Sequence, residues 1–116
     1  MDLDYYQQRL DKFAKERNWD QFHSPKNLTM ALAGETGELL DIFQWLTEEE
    51  SKRENIDDQL INEISEEMAD IMIYLLRLTD KLNIDIEASV KKKIGINEKK
   101  YPIKLSKDNA IKYSRR

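Results

Sequence analysis

Residues 68–78, MADIMIYLLRL, are apolar or aromatic at every position except Asp70 and Arg77. The run sits inside a longer stretch, about 56–82, in which charged residues flank it at helical rather than alternating intervals. A helix that is apolar nearly all round must be buried on several sides. Four short helices cannot easily cover it, so at least a dimer is expected, formed through the second and third helices.

Working outward, the chain divides into helical stretches. The first, about 3–17, spaces Leu3, Tyr6, Leu10, Phe13 and Ala14 at helical intervals. After "NWDQFH" the segment "SPKN" signals a start, with Ser24 as N-cap and Pro25 at the first helical position. This second helix should run to about Leu46. "TEEESKREN" is a charged connector, and Asn55 or Asp57 can cap the third helix. The fourth should run from about Asp85 to Lys100 and stop before Pro102. "IKLSKDNAIKYSRR", residues 103–116, reads as irregular. The expected fold is all-α: one domain over 1–116, a helical core of about 3–101 and a basic tail of 102–116.

Composition agrees and excludes much. The 116 residues are 40% hydrophobic and 36% charged, with three glycines and two prolines, as suits a soluble helical protein. With no cysteine, disulfides, thiolate metal sites and cysteine nucleophiles are ruled out. There is no apolar run near membrane-spanning length and no signal-peptide pattern at "MDLDYYQQRL", so a cytoplasmic protein without a membrane partner is expected. The net charge of −4 conceals a division. Residues 1–90 carry 9 Lys and Arg against 21 Asp and Glu, and residues 91–116 carry 10 against 2. An acidic site and a basic segment acting together would account for this asymmetry; a solvated basic tail is the simpler reading.

The acidic half contains a pattern. Glu35 and Glu38, three apart, share one face of the second helix. Glu63, Glu67, Asp70 and Tyr74 share a stripe of the third. A solvated face would explain the glutamate pair alone. It does not explain Asp70, which lies between Ala69 and Ile71 where an unpaired carboxylate is costly to bury. The only cation between Arg53 and Lys81 is Arg77. Two such pairs on facing helices would set four carboxylates around one point, and they repel unless a cation sits among them. All-oxygen ligands favour Mg²⁺, Mn²⁺ or Ca²⁺ over zinc. Mg²⁺ usually shares phosphate ligands, which connects the acidic half to the basic one. Gly34 and Gly37 leave the flanks of the glutamates bare for a phosphate or a neighbouring helix, although glycine within a helix costs about 1 kcal/mol relative to alanine. A di-iron bundle would need Glu-x-x-His pairs, and the lone His23 is in none.

Three segments, "FHSPKNLTMALAGETGELLDIFQW", "EEMADIMIYLL" and "KKKIGINEKKYP", resemble the MazG-like all-α nucleoside triphosphate pyrophosphohydrolases, with the dCTP pyrophosphatase branch closest. The likeness runs from about Arg9 to Tyr113. It implies a MazG-like four-helix bundle assembled by oligomerisation as a homodimer or homotetramer. It also implies Mg²⁺-dependent hydrolysis, with Mn²⁺ as a substitute, of a nucleoside triphosphate to monophosphate and diphosphate. By motif position Glu35, Glu38, Glu67 and Asp70 would hold the metal, with Glu35 and Glu38 catalytic and Glu35 orienting the attacking water. Tyr74, Lys93 and Asn97 would meet the sugar and phosphates. Trp19, His23 and Trp45 would form the base pocket. Lys107, Lys112 and Tyr113 lie in "KDNAIKY", which resembles the segment that folds over the phosphates. Leu10 departs from the polar pocket residue of some relatives, which bears on base preference.

Each of these residues also has a plainer reading. The tryptophans would suit a core or interface, Tyr74 an interface, His23 a local hydrogen bond and Lys91–Lys93 a helix end complementing the macrodipole. Two non-enzymatic readings compete: a helical oligomer binding nucleotide, metal or nucleic acid, and a structural bundle in which Asp70 pairs with Arg77 across a dimer. Nucleic-acid binding is disfavoured, because it leaves Asp70 unexplained and the tail has few aromatics for stacking.

Overall fold

The computed structural model describes residues 1–108 and 110. Among them the only regular secondary structure is helical: α1 (Leu3–Glu16), α2 (Pro25–Phe43), α3 (Asp58–Lys81), α4 (Ile86–Lys100) and α5 (Ile103–Ser106), with 3-10 turns at Asp20–Phe22 and Arg53–Asn55. The all-α expectation holds. One turn departs from it: Pro102 caps the short α5 within a segment expected to be irregular, its φ of −63° being the value proline's ring imposes.

The helix starts follow from side-chain chemistry. The side chains of Asp2, Ser24, Asp57 and Asp85 accept hydrogen bonds from the backbone N–H groups of Tyr5, Asn27, Leu60 and Ala88 at 3.1, 3.2, 2.8 and 3.0 Å. Each satisfies a donor that the first helical turn leaves orphaned. Pro25 follows its cap as expected. In the connector, Thr47 and Glu50 bond reciprocally, each side chain accepting from the other's backbone N–H at 3.1 and 2.9 Å. This capping-box pairing fixes the turn that carries the chain from α2 towards α3.

The chain forms two compact units, Met1–Asn83 and Ile84–Arg116. In the first, α3 packs against both α1 and α2. Ala14, Leu28, Ile64 and Leu76 are its most buried apolar side chains. Gln7 donates to the Thr79 hydroxyl at 3.2 Å, and that hydroxyl donates to the Leu76 carbonyl at 2.9 Å, tying α1 to a buried polar point on α3. Asp20 and His23, just ahead of α2, meet Arg77 late in α3, whereas Glu35 and Glu38 meet Glu67 earlier in α3. The two helices therefore run antiparallel, with mid-helix positions opposed.

This unit buries the 68–78 run only in part, chiefly at Leu76 and Arg77. Met68 is 54% exposed and Ile73 39%, and Met30 and Leu40 of α2 stand out at 63% and 60%. The second unit contains α4 and α5, with Lys93 and Asn97 four apart on one side of α4.

Candidate metal centre and adjoining cavity

Glu35, Glu38 and Glu67 converge where α2 and α3 oppose each other: one carboxylate oxygen from each lies within 4.8 Å of the others. Glu35 Oε2 and Glu67 Oε2 are buried without a hydrogen-bond partner. Carboxyl groups this close, two of them with an oxygen shut away from water, resist ionisation. The Glu67 carboxyl is pushed up to about 7, first by desolvation and then by hydrogen bonding with Glu38 and Glu35. The Glu35 carboxyl is raised too, by desolvation first and Glu38 second. Orphaned anionic oxygens on facing helices are the donor set that a hard divalent cation takes, so the residues present fit one.

Asp70, one turn beyond Glu67, is not in this group. It lines a cavity of about 290 Å³ together with Glu35, Trp19, His23, Tyr74 and Arg77, closed on its apolar side by Leu10, Phe13, Ala14 and Ile73. The carboxylates and the cavity thus share Glu35. Asp70 has no ion pair among the described residues, and its expected alternative partner is committed elsewhere. Arg77, only 3% exposed, donates from Nη1 to Asp11 at 3.2 Å and from Nη2 to Asp20 at 2.9 Å. Asp20 also accepts from Lys81 at 3.1 Å. Within this chain Arg77 is thus taken up by Asp11 and Asp20 rather than Asp70; the structural-bundle reading concerns a pairing with a second copy.

The aromatic wall is set by the end of α1. Asn18 adopts the left-handed conformation, φ 54°. Its N–H bonds the Lys15 carbonyl at 3.0 Å and the next N–H, of Trp19, bonds the Ala14 carbonyl at 2.9 Å. These are the two bonds of a Schellman cap, which characteristically brings the residue after the reversal back against the last turn. Here that residue is Trp19, edge-on to Phe13 at 5.6 Å and to His23 at 6.3 Å. Arg17 holds its guanidinium 3.6 Å over the Phe13 ring, a cation–π contact.

The remaining candidates lie elsewhere. Trp45, beyond the end of α2, is 85% exposed and does not line the cavity with Trp19 and His23. Lys93 and Asn97 on α4 and Lys107, which caps α5, belong to the second unit. Lys112 and Tyr113 fall outside the described residues. Among the described residues a Cβ added at Gly34 or Gly37 would meet nothing within 4 Å, so packing against them does not account for either glycine. Phe13, Asp11 and Asp20 were not expected at the site. The signal for the two aspartates was present, since a lone arginine in an apolar run calls for carboxylates, but nothing local shows that they come from α1 and the turn after it.

Against this geometry stand three likenesses. The MazG-like family profile matches residues 31–115. Proteins named dCTP pyrophosphatase 1 from Bos taurus and Homo sapiens are 41% and 39% identical over 103 residues, which is 89% of this chain and 61% of each of theirs. The chain therefore spans 61% of the length of these curated relatives. The crystal structure of a pyrophosphatase from Archaeoglobus fulgidus matches with a TM-score of 0.75 at 40% identity, covering 82% of this chain and 87% of that one. The family match takes in Glu35, Glu38, Glu67 and Asp70 in one continuous segment, and the solved relative matches in fold as well as in sequence: the chain belongs to the MazG-like family.

Proposed function

We propose that the protein is a divalent-metal-dependent nucleoside triphosphate pyrophosphohydrolase, cleaving its substrate to monophosphate and diphosphate, with dCTP-like or modified nucleotides as substrates. The observation that carries this reading is the convergence of Glu35, Glu38 and Glu67, two of their oxygens buried and unpartnered, beside an aromatic cavity that Glu35 also lines. The likeness to dCTP pyrophosphatases and to the Archaeoglobus fulgidus pyrophosphatase supports the reaction class and suggests the nucleotide.

Glu35, Glu38, Glu67 and Asp70 are the proposed ligands of Mg²⁺, with Mn²⁺ as a substitute. Bound there, the cation would neutralise the triphosphate and polarise the α-phosphorus. Glu35 faces both the carboxylate group and the cavity, which suits it to orient a water molecule for in-line attack. Trp19, His23 and the apolar wall would hold the base and exclude water from it. Tyr74 lines the same cavity and is proposed to meet the sugar. Lys93, Asn97, Lys107, Lys112 and Tyr113 are proposed as sugar and phosphate contacts on the family motif and on the cationic charge of residues 91–116, and residues 1–116 as one functional domain.

A homodimer or homotetramer is proposed as well, because Met30, Leu40, Met68 and Ile73 expose apolar area of the kind that marks interaction surfaces; Trp45 would then be covered by, or contribute to, a second copy. No helix among the described residues is long and apolar enough to cross a membrane, and a cytoplasmic location is proposed.

The test is to incubate the protein with Mg²⁺ and a panel of canonical and modified nucleoside triphosphates and separate the products by ion exchange. Monophosphate plus diphosphate is expected. Diphosphate nucleoside plus orthophosphate would overturn the α-phosphorus mechanism, and no turnover with Mg²⁺ or Mn²⁺ would favour a non-catalytic nucleotide-binding oligomer. Glu38→Gln and Asp70→Asn should each lower turnover on the order of a hundredfold or more while leaving the circular dichroism spectrum helical. Full turnover in both would remove them from the site.

A further inference from the structure

His23 is the chain's only histidine, and its Nδ1 lies 3.2 Å from Arg77 Nη2. A guanidinium carries donors only and stays protonated in proteins. A hydrogen bond between these two atoms is therefore possible in one sense: Arg77 donates and Nδ1 accepts. An accepting Nδ1 has no proton, so the imidazole is neutral and carries its proton on Nε2. Arg77 is itself immobilised, 3% exposed and clamped by Asp11 and Asp20. Both His23 and Arg77 line the cavity, and among the described residues Nε2 has no protein partner.

We propose that Arg77 is a positioning residue that locks His23 in the neutral Nε2–H tautomer, so that the cavity meets its ligand with a fixed hydrogen-bond donor. The complement of a fixed donor is an acceptor on the ligand. A cytosine-type edge, with adjacent ring-nitrogen and carbonyl acceptors, meets that need in either of two registers. A uracil- or thymine-type edge also presents two acceptors, its carbonyls, but places an N–H donor between them, so a fixed donor facing that central ring nitrogen suits cytosine and opposes uracil or thymine. The ligand half of this inference rests on the nucleotide reading above; the tautomer half does not. Burial and the charge of Arg77 both hold the His23 pKa below its ordinary 6.5, with Asp20 opposing and Lys81 assisting; Glu35 and Asp70 line the same cavity.

With a single histidine, two-dimensional ¹H–¹⁵N correlation spectra of the uniformly labelled protein report its tautomer without ambiguity and without turnover. At pH 7 the wild-type protein should show one neutral species with a protonated Nε2 and a bare Nδ1. An imidazolium or an Nδ1–H species would overturn the lock. In Arg77→Met the adjacent Asp20 carboxylate is left to attract the Nδ1 proton, so a mixture of tautomers and a higher titration midpoint are expected. A folded Arg77→Met with an unaltered tautomer would equally overturn it, and the wild-type spectrum decides the matter if the variant does not fold. If the wild type turns over nucleotides, KM for dCTP should rise about fivefold in the variant, the worth of roughly one hydrogen bond, and more than KM for dTTP; an equal rise for both would overturn the ligand half. A wild-type protein with the expected tautomer but no turnover would count against the nucleotide reading and leave the lock standing.

Discussion

Single residues decide how the cavity is walled. Asn18 does so through its backbone: the left-handed turn it accepts is what directs the Trp19 N–H to Ala14 and the indole onto Phe13. Asparagine tolerates this conformation far better than residues with an unadorned Cβ. Asn18→Ala should therefore cost about 1 kcal/mol of stability, and Asn18→Gly should cost little. Chemical denaturation measures both, with tryptophan fluorescence following the indole. Equal stability of the alanine and glycine variants would show that the reversal is not what positions Trp19.

Among the elements, α2 carries two interior glycines whose cost is not offset by packing among the described residues. Gly34 and Gly37 weaken it, yet among the described residues nothing occupies the space their side chains would take. Gly34→Ala and Gly37→Ala should each raise the stability of the isolated protomer by about 0.5–1 kcal/mol. If a second copy or a phosphate approaches this face, the same variants should lower activity or weaken association, seen by sedimentation and by turnover. A gain in stability with both functions intact would leave the glycines without a role. The elements themselves were legible in the sequence because caps are local: Ser24–Pro25 starts α2 where expected, and Asp57 rather than Asn55 starts α3. The facing of Glu35 and Glu38 towards Glu67 was legible for a similar reason, since helical spacing puts each set on one stripe. What could not be read was anything that depends on which helix lies where. Asp11 and Asp20 as the partners of Arg77 are tertiary facts, separated from it by 66 and 57 positions. Asp70 displays the limit from the other side. Its need for company was plain from its neighbours, but its position beside the cavity rather than within the three-carboxylate group is a matter of helix rotation.

For the whole molecule, the carboxylate group links stability to pH. Folded Glu67 holds its proton up to about 7, whereas an ordinary glutamate releases it near 4.5. Between those values the folded chain binds more protons at this position than the unfolded chain, so its contribution to stability falls as pH rises. His23, its pKa lowered from 6.5, works in the opposite sense near neutrality, and Asp11 and Asp20, both lowered from 3.8, matter only in acid. Comparison with Glu67→Gln isolates the effect. Measured in urea with chelator present, the variant's advantage over the wild type should grow from pH 5 to pH 7, and a divalent cation should reverse it. An advantage of the same size at both pH values would show that Glu67 ionises normally.

The three converging glutamates thus have a consequence for how a metal site of the proposed kind responds to its surroundings. A carboxyl that titrates close to neutrality makes proton and cation rivals for the same oxygens. Loading the site would acidify the medium, and modest acidification would empty it while the helices stay folded. If the site performs the proposed hydrolysis, the crowding of negative charge would also act as a throttle, idling it in acid and restoring it on neutralisation without any change of fold.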